Sequence, residues 1–306
     1  MSWKILNQFL LLVTVAAVCF LSGAANDSTL KIATTSSLYD TGLLELLAQN
    51  FSEEYNVTVQ IPTHSGTGIA ISDGERGNVD MLIIHDKKRE LKFVQDGHGL
   101  ERRCLAYNYF YLVGPKEDPA GVKGMNVTEA LKTIREKGMA DHEKVKFVSR
   151  GDESGTHSKE KSLWQSAGYN YSEINNSGQW YIDAGSPMGA TLVMANEKSA
   201  YALADMSTFM AFKSKLDLVP FVEGGSDMLN VYVAIALNPE KHPGVNCDLA
   251  VKFINFLVSD EGQRLIADYG RAQFGQPIFF AARGNCSLIG CQAEECAVPA
   301  AATCID

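Results

Sequence analysis

Basic residues are in deficit. The chain carries 27 Lys and Arg against 36 Asp and Glu, a formal net charge of −9. That balance argues against nucleic acid or an anionic membrane surface as a partner, because both reward a basic face. Proline (9) and tryptophan (3) are sparse, and there is no internal repeat or low-complexity tract, which excludes collagen-like, solenoid and disordered classes. Familiar catalytic signatures are missing as well: no Gly-x-Ser-x-Gly elbow, no His-Glu-x-x-His and no Cys-x-x-Cys turn occurs. What remains is an acidic chain of 306 residues, 46% hydrophobic and 21% charged, with enough apolar material for two domains or one large one.

The N-terminus has a basic start at Lys4, an apolar run from Ile5 to Leu21 and small residues at Ser22-Gly23-Ala24-Ala25. This pattern is a secretory signal over residues 1–25, with an uncleaved anchor as its rival because the run approaches the ~20 residues that span a bilayer. The expected location is extracytoplasmic, secreted or attached to the cell surface. Cys19 leaves with the signal, so Cys104, Cys247, Cys286, Cys291, Cys296 and Cys304 remain. An even set in an exported chain favours disulfides over a metal site. The last four fall in a tail over residues 286–306 that has no periodic apolar pattern, so cross-links would have to order it. Asn-x-Ser/Thr sites at Asn50, Asn56, Asn126, Asn170, Asn175 and Asn285 fit a surface-exposed protein.

Apolar periodicity alternates between strand and helix along the body. Strands are expected at Leu30–Thr34, Val57–Ile61 and Val79–Ile84, with helices at 42–55, 68–76 and 90–96 between and after them. A long β segment at Arg103–Val113 runs into the breaker cluster Gly114-Pro115 to Gly121, read here as a crossing between lobes. A second α/β series extends to Val222, and Gly224-Gly225 marks a return crossing. The division expected is residues 28–113 with 224–285 as lobe 1, 114–223 as lobe 2, and 286–306 as a Cys-rich tail. Ligands of open parallel sheets lie at the carboxyl ends of strands, so two such lobes offer a cleft.

Three small-polar turns sit where strands give way to helices: Ala33-Thr34-Thr35-Ser36-Ser37, His64-Ser65-Gly66-Thr67-Gly68, and Ser149-Arg150 through Ser154-Gly155-Thr156-His157. Each combines hydroxyls with unpaired backbone N–H groups at a helix start, where partial positive charge favours an anion. Any one of them is equally an ordinary helix cap. Arg150 adds a planar fork suited to adjacent oxygens of a tetrahedral oxyanion.

These motifs, with Val79–His85, Phe147–Asp152 and Met188-Gly189-Ala190-Thr191-Leu192, resemble the tungstate-binding proteins of the Tup type from about Leu30 to about Ala282. The resemblance implies a two-lobed α/β type II periplasmic-binding-protein fold with a ligand cleft between lobes. It implies tungstate or molybdate as ligand, no other cofactor, no enzymatic activity, a monomer, and an ABC transporter permease as partner. Carried over by position, the ligand contacts are Thr35, Ser36, Ser65, Thr67, Arg150, Ser154, Thr156 and Thr191. The Cys-rich tail has no counterpart in the family.

Two other readings compete. A phosphate receptor of the same fold gains from a carboxylate that accepts the proton of HPO4, whereas a receptor for fully ionised XO4 presents donors only. Asp86 is the carboxylate in question, and it is expected to cap the following helix instead. A cell-surface hydrolase is suggested by His64, His85 and His157 near Ser65 and Ser154, although their spacing dictates no triad.

Overall fold

In the computed structural model, which describes residues 29–297 and Cys304, strand and helix alternate much as the apolar periodicity requires. The expected signal at 1–25 lies outside the described residues. The chain opens with β1 (Thr29–Thr35), α1 (Ser36–Tyr39), α2 (Leu43–Tyr55), β2 (Thr58–Ser65), α3 (Thr67–Glu75), β3 (Met81–Ile84) and α4 (Lys87–Gln95). The long β4 (Gly99–Pro115) follows, then α5 (Val127–Ala140), β5 (Phe147–Ser149), α6 (Gly155–Ser166), α7 (Tyr171–Asn175), β6 (Tyr181–Asp183), α8 (Met188–Glu197), β7 (Tyr201–Asp205), α9 (Met206–Phe212) and β8 (Leu218–Val222). The return comprises β9 (Leu229–Leu237), α10 (Cys247–Val258), α11 (Asp260–Asp268), α12 (Arg271–Phe274) and β10 (Phe280–Ala281).

The strand order is β2-β1-β3-β9-β4-β7-β5-β6, with β8 and β10 also paired to β4. Parallel pairing of β1 with β2 and β3, and of β5 with β6 and β7, gives each lobe its βαβ units. Strands β4 and β9 are antiparallel and join the lobes. Up to Tyr109, β4 pairs with β9; from Phe110 it pairs with β7 and then β8. The change of partner thus falls inside β4 at Tyr109–Phe110, and residues 110–113 pair with β7 of the second α/β series. Gly114 and Pro115 do not break the strand because they still pair with Val219 and Leu218. Proline is tolerated there at a strand end, where no further ladder donor is required. The return passes from Val222 to Leu229 through Gly224 and Gly225.

Both cores follow from apolar stripes. Leu43, Leu44, Leu47 and Phe51 recur on one face of α2 and are buried against Leu30, Ile83 and Phe253, each such side chain contributing about 1.5–3 kcal/mol. In the second lobe, Phe147 packs edge-on to Trp164 at 5.5 Å between ring centroids, beside Trp180. The tail is tied down by Cys104–Cys291, Cys286–Cys296 and Cys247–Cys304. Buried Arg102 pairs with Glu90 at 2.9 Å and with Glu295, while Arg103 donates to the carbonyls of Glu294 and Ala297, so the tail supplies partners to two buried cations of β4. Cys104, Cys291 and Glu295 cluster within a metal-ligating distance, but the two sulfurs are bonded to each other and offer no thiolate.

Candidate anion-binding cleft

The carboxyl ends of β1, β2 and β5 deliver the three hydroxyl-bearing turns. Thr35 and Ser65 end adjacent parallel strands and stand opposite each other in register. In the first turn Thr35 is 2% exposed and occupies the cap position of α1, yet its hydroxyl meets Ser37 Oγ at 3.2 Å instead of a helix N–H. In the second, Gly66 takes the cap position of α3, Ser65 is exposed, and Thr67 is fully buried with no partner for its Oγ1. The third turn needs glycine at 151: φ is +63°, and a Cβ would lie 1.5 Å from Asp183 Oδ1. Beyond it, Ser154 Oγ caps α6 by accepting from the His157 N–H at 3.3 Å. Thr156 is buried with no partner for its Oγ1.

Arg150 links these turns across the lobes. Its Nη2 donates to Ser36 Oγ at 3.1 Å, and its Nε donates to Asp152 Oδ2 at 2.9 Å. The residue is only 2% exposed, so this guanidinium acts in a medium where charge is weakly screened. Asp152 also accepts from the Ser154 N–H at 3.2 Å, which aligns the fork before any ligand arrives. The second turn closes on the third, since a Cβ on Gly66 would sit 3.8 Å from both the Asp152 carbonyl oxygen and Ser154 Cα. Outside these contacts, Arg89 of α4 donates to the Glu153 carbonyl at 3.0 Å, a further bridge between lobes.

Thr191 stands apart from that group. Its hydroxyl donates to the carbonyls of Ser186 (3.0 Å) and Pro187 (3.1 Å), so its proton is already committed. The Ser186 N–H in turn bonds the Arg150 carbonyl at 3.2 Å, so Thr191 steadies the backbone behind Arg150. Asp86 caps α4, as its place before the helix suggested: it accepts from the Arg89 N–H at 3.2 Å, and its other oxygen faces the Arg89 guanidinium at 3.5 Å.

Sequence reasoning missed a buried polar network beside the turns. Ser37 Oγ meets His85 Nε2 at 3.1 Å, His85 Nδ1 meets Asn230 Oδ1 at 2.8 Å, and Asn230 Nδ2 donates to Asp205 Oδ2 at 2.7 Å. His85 also packs against the third turn, because a Cβ on Gly155 would fall 2.7 Å from its Cε1. Burial holds the His85 pKa below its usual value. The line Ser37, His85, Asn230 has the look of a hydrolytic triad, but Ser37 is 1% exposed and a substrate has no access to it. His157, near Ser154, uses Nδ1 to accept from the Glu153 N–H and Nε2 to meet Tyr171 at 2.6 Å. Thr208, also missed, is a third buried hydroxyl with no partner. Its signal was present in Ala204-Asp205-Met206-Ser207-Thr208, the same passage from strand to hydroxyl to helix. A hollow of about 1170 Å³ is a neighbour of this site, bounded by His85, Asp86, Phe110, Gly155, Lys159 and Asn230. Ser36, Thr67, Arg150 and Thr156 do not line it.

Comparison with known proteins agrees with this architecture. Residues 22–261 match the model of the PBP superfamily domain. A tungstate-binding protein, TupA, from Peptoclostridium acidaminophilum is 39% identical over 251 residues, 81% of this chain and 84% of that protein. The crystal structure of the tungstate ABC transporter from Geobacter sulfurreducens is 44% identical with a TM-score of 0.70, covering 79% of this chain and 98% of that one. The tungstate-binding protein TupA from Desulfovibrio alaskensis G20 is 38% identical with a TM-score of 0.71, covering 83% and 98%. With the two-lobed fold and the cleft in place, the chain belongs to the PBP superfamily and, within it, to the tungstate-binding proteins of the Tup type.

Proposed function

We propose that this chain captures a fully ionised tetrahedral oxyanion, tungstate or the nearly equal molybdate, between its lobes and delivers it outside the cytoplasm to the permease of an ABC importer. One observation carries the reading: Thr67 and Thr156, in the first turns of helices from opposite lobes, are buried hydroxyls with no partner, beside a buried arginine that bridges the lobes. Buried polar groups are almost always hydrogen-bonded, so two such hydroxyls at helix starts point to a ligand that accepts. Thr35, Ser36, Ser65, Ser154 and the turn N–H groups complete the donor set. Hydrogen bonds to a charged group contribute about 1.5–3 kcal/mol each, so a handful give tight capture without a basic patch.

Asp152 is engaged by Arg150 and the Ser154 N–H, so that carboxylate is not offered to the proton of HPO4. Asp86 Oδ1 accepts from the Arg89 N–H, while its buried Oδ2 faces the Arg89 guanidinium without a hydrogen-bond partner, so the phosphate arm of the titration below separates XO4 from a protonated phosphate. Delivery to a permease, and a place outside the cytoplasm, are supported by membership of a family of solute-binding receptors. Among the described residues no helix is long and apolar enough to cross a membrane.

Isothermal titration of the chain with tungstate, molybdate, sulfate and phosphate tests the reading. Tungstate and molybdate are expected to bind, and Arg150→Ala to weaken them by about 3–6 kcal/mol, two charged hydrogen bonds' worth. Undiminished affinity in that variant, or a preference for phosphate, would contradict the assignment.

A further inference from the structure

The oxyanion reading gives no role to Ser37 and His85, yet their protons are the ones the geometry fixes most firmly. Every partner of Asp205 is a donor: the N–H groups of Ser207 and Thr208, the Ser207 and Tyr232 hydroxyls, and Asn230 Nδ2. Asn230 Nδ2 also faces Asn108 Oδ1 at 2.9 Å. Turning that amide over would set oxygen against a carboxylate and a carbonyl, so Asn230 Oδ1 must face His85. His85 Nδ1 therefore carries a proton and donates at 2.8 Å.

In the neutral imidazole Nε2 is then a bare acceptor, and Ser37 must donate into it at 3.1 Å. With its own proton used, Ser37 Oγ can only accept from Thr35 at 3.2 Å. Neutral His85 thus turns the Thr35 proton inward, away from the cleft. Adding a proton to Nε2 reverses the chain: His85 donates to Ser37, Ser37 donates to Thr35, and the Thr35 proton is released towards an anion. We propose that oxyanion capture in this cleft is accompanied by uptake of a proton from solvent onto His85 Nε2, read out at the ligand through Ser37 and Thr35. This inference rests on the oxyanion reading above.

The electrostatic setting agrees. Burial is the largest influence on His85 and disfavours its cation; Asp205 on β7 and the adjacent Asp86 favour it, and Arg150 opposes it. Tyr232 of β9 packs over the ring at 5.0 Å and stays a neutral phenol, its pKa raised by burial. A dianion beside Thr35 and Arg150 adds negative charge to this balance and raises the His85 pKa in the complex above that of the free protein. Affinity then strengthens as pH falls through the bound-state pKa and stops strengthening below the free-state pKa. Its slope is at most about tenfold per pH unit.

Calorimetric titration of tungstate at a fixed pH, in buffers of different ionisation enthalpy, counts the protons taken up. The wild type is expected to take up a measurable fraction of one proton at pH values between the free-state and bound-state pKa of His85, the first of which burial holds below the ordinary imidazole value. His85→Gln keeps an uncharged polar group beside Ser37 that cannot take up a proton, and is expected to bind with none. Should that variant misfold, the imidazole 15N shifts of His85 in the wild type are read instead and are expected to move to imidazolium values on adding tungstate. Binding without proton uptake, uptake that persists in His85→Gln, or a ring that stays neutral would overturn the relay while leaving the oxyanion site standing. Absence of any binding heat in the wild type would overturn the site itself, and the relay with it.

Discussion

Replacing Thr67 by valine separates a ligand-binding hydroxyl from a structural one, because the two roles predict opposite signs. Thr67 is 0% exposed and its Oγ1 has no partner. An unpartnered buried hydroxyl costs about 1–3 kcal/mol. Valine keeps the branched shape and removes the polar atom, so the free protein should gain on the order of 1 kcal/mol. For a chain of this size that raises Tm by roughly 2–4 °C. In the complex the same change deletes one hydrogen bond to a charged ligand, about 1.5–3 kcal/mol, so tungstate should bind roughly 10- to 150-fold more weakly. Thr156→Val should behave alike, since Thr156 is equally buried and unpartnered. Scanning calorimetry without ligand and isothermal titration with tungstate read the two effects. A variant that gains stability and binds as tightly as the wild type refutes the reasoning; one that loses stability shows that the hydroxyl has a partner within the fold.

Other outcomes follow from the second lobe and the tail. Glu160 is fully buried behind Ser149, and burial pushes its carboxyl up from 4.5 to about 7, against the hydrogen bonds it accepts from Tyr181, Ser149 and Trp164. A carboxyl raised in the folded state favours folding below its unfolded pKa and opposes it above the folded one. Stability should therefore fall by about 3 kcal/mol as pH rises between those values, and Glu160→Gln should flatten the profile in urea unfolding; parallel profiles would contradict this. Cys104 and Cys291 close a loop of 187 residues, so the paired Cys104→Ser and Cys291→Ser variant should lose about 2–5 kcal/mol of stability. Its tungstate affinity should not change, because among the described residues no hydrogen bond joins the tail to the three turns, and an equal fall in affinity would place the tail in the site.

The features legible in the sequence were those written locally. Each of the three turns follows an apolar run and precedes a helical stripe, so Ser/Thr/Gly chemistry within a few residues announced a helix start. Arg150 was conspicuous as a cation among neutral donors in an acidic chain. Asp86 could be read as a cap because caps are a local matter. The partners of the Thr191 hydroxyl could not be read, because they are two carbonyls in the loop before α8. His85 could not be joined to Asn230, 145 positions away, without knowing that β3 and β9 are neighbours. Six cysteines allow 15 pairings, and nothing in their spacing selects the three that form. Gly114-Pro115 reads as a breaker, whereas the register of β4 with β8 continues through it.

The most direct test of the central claim is anomalous diffraction at a tungsten absorption edge from crystals grown with tungstate. One strong peak is expected between the lobes, within hydrogen-bonding reach of Ser36, Thr67, Arg150 and Thr156. A peak in the hollow bounded by Phe110 and Lys159, or none in the cleft, would contradict it.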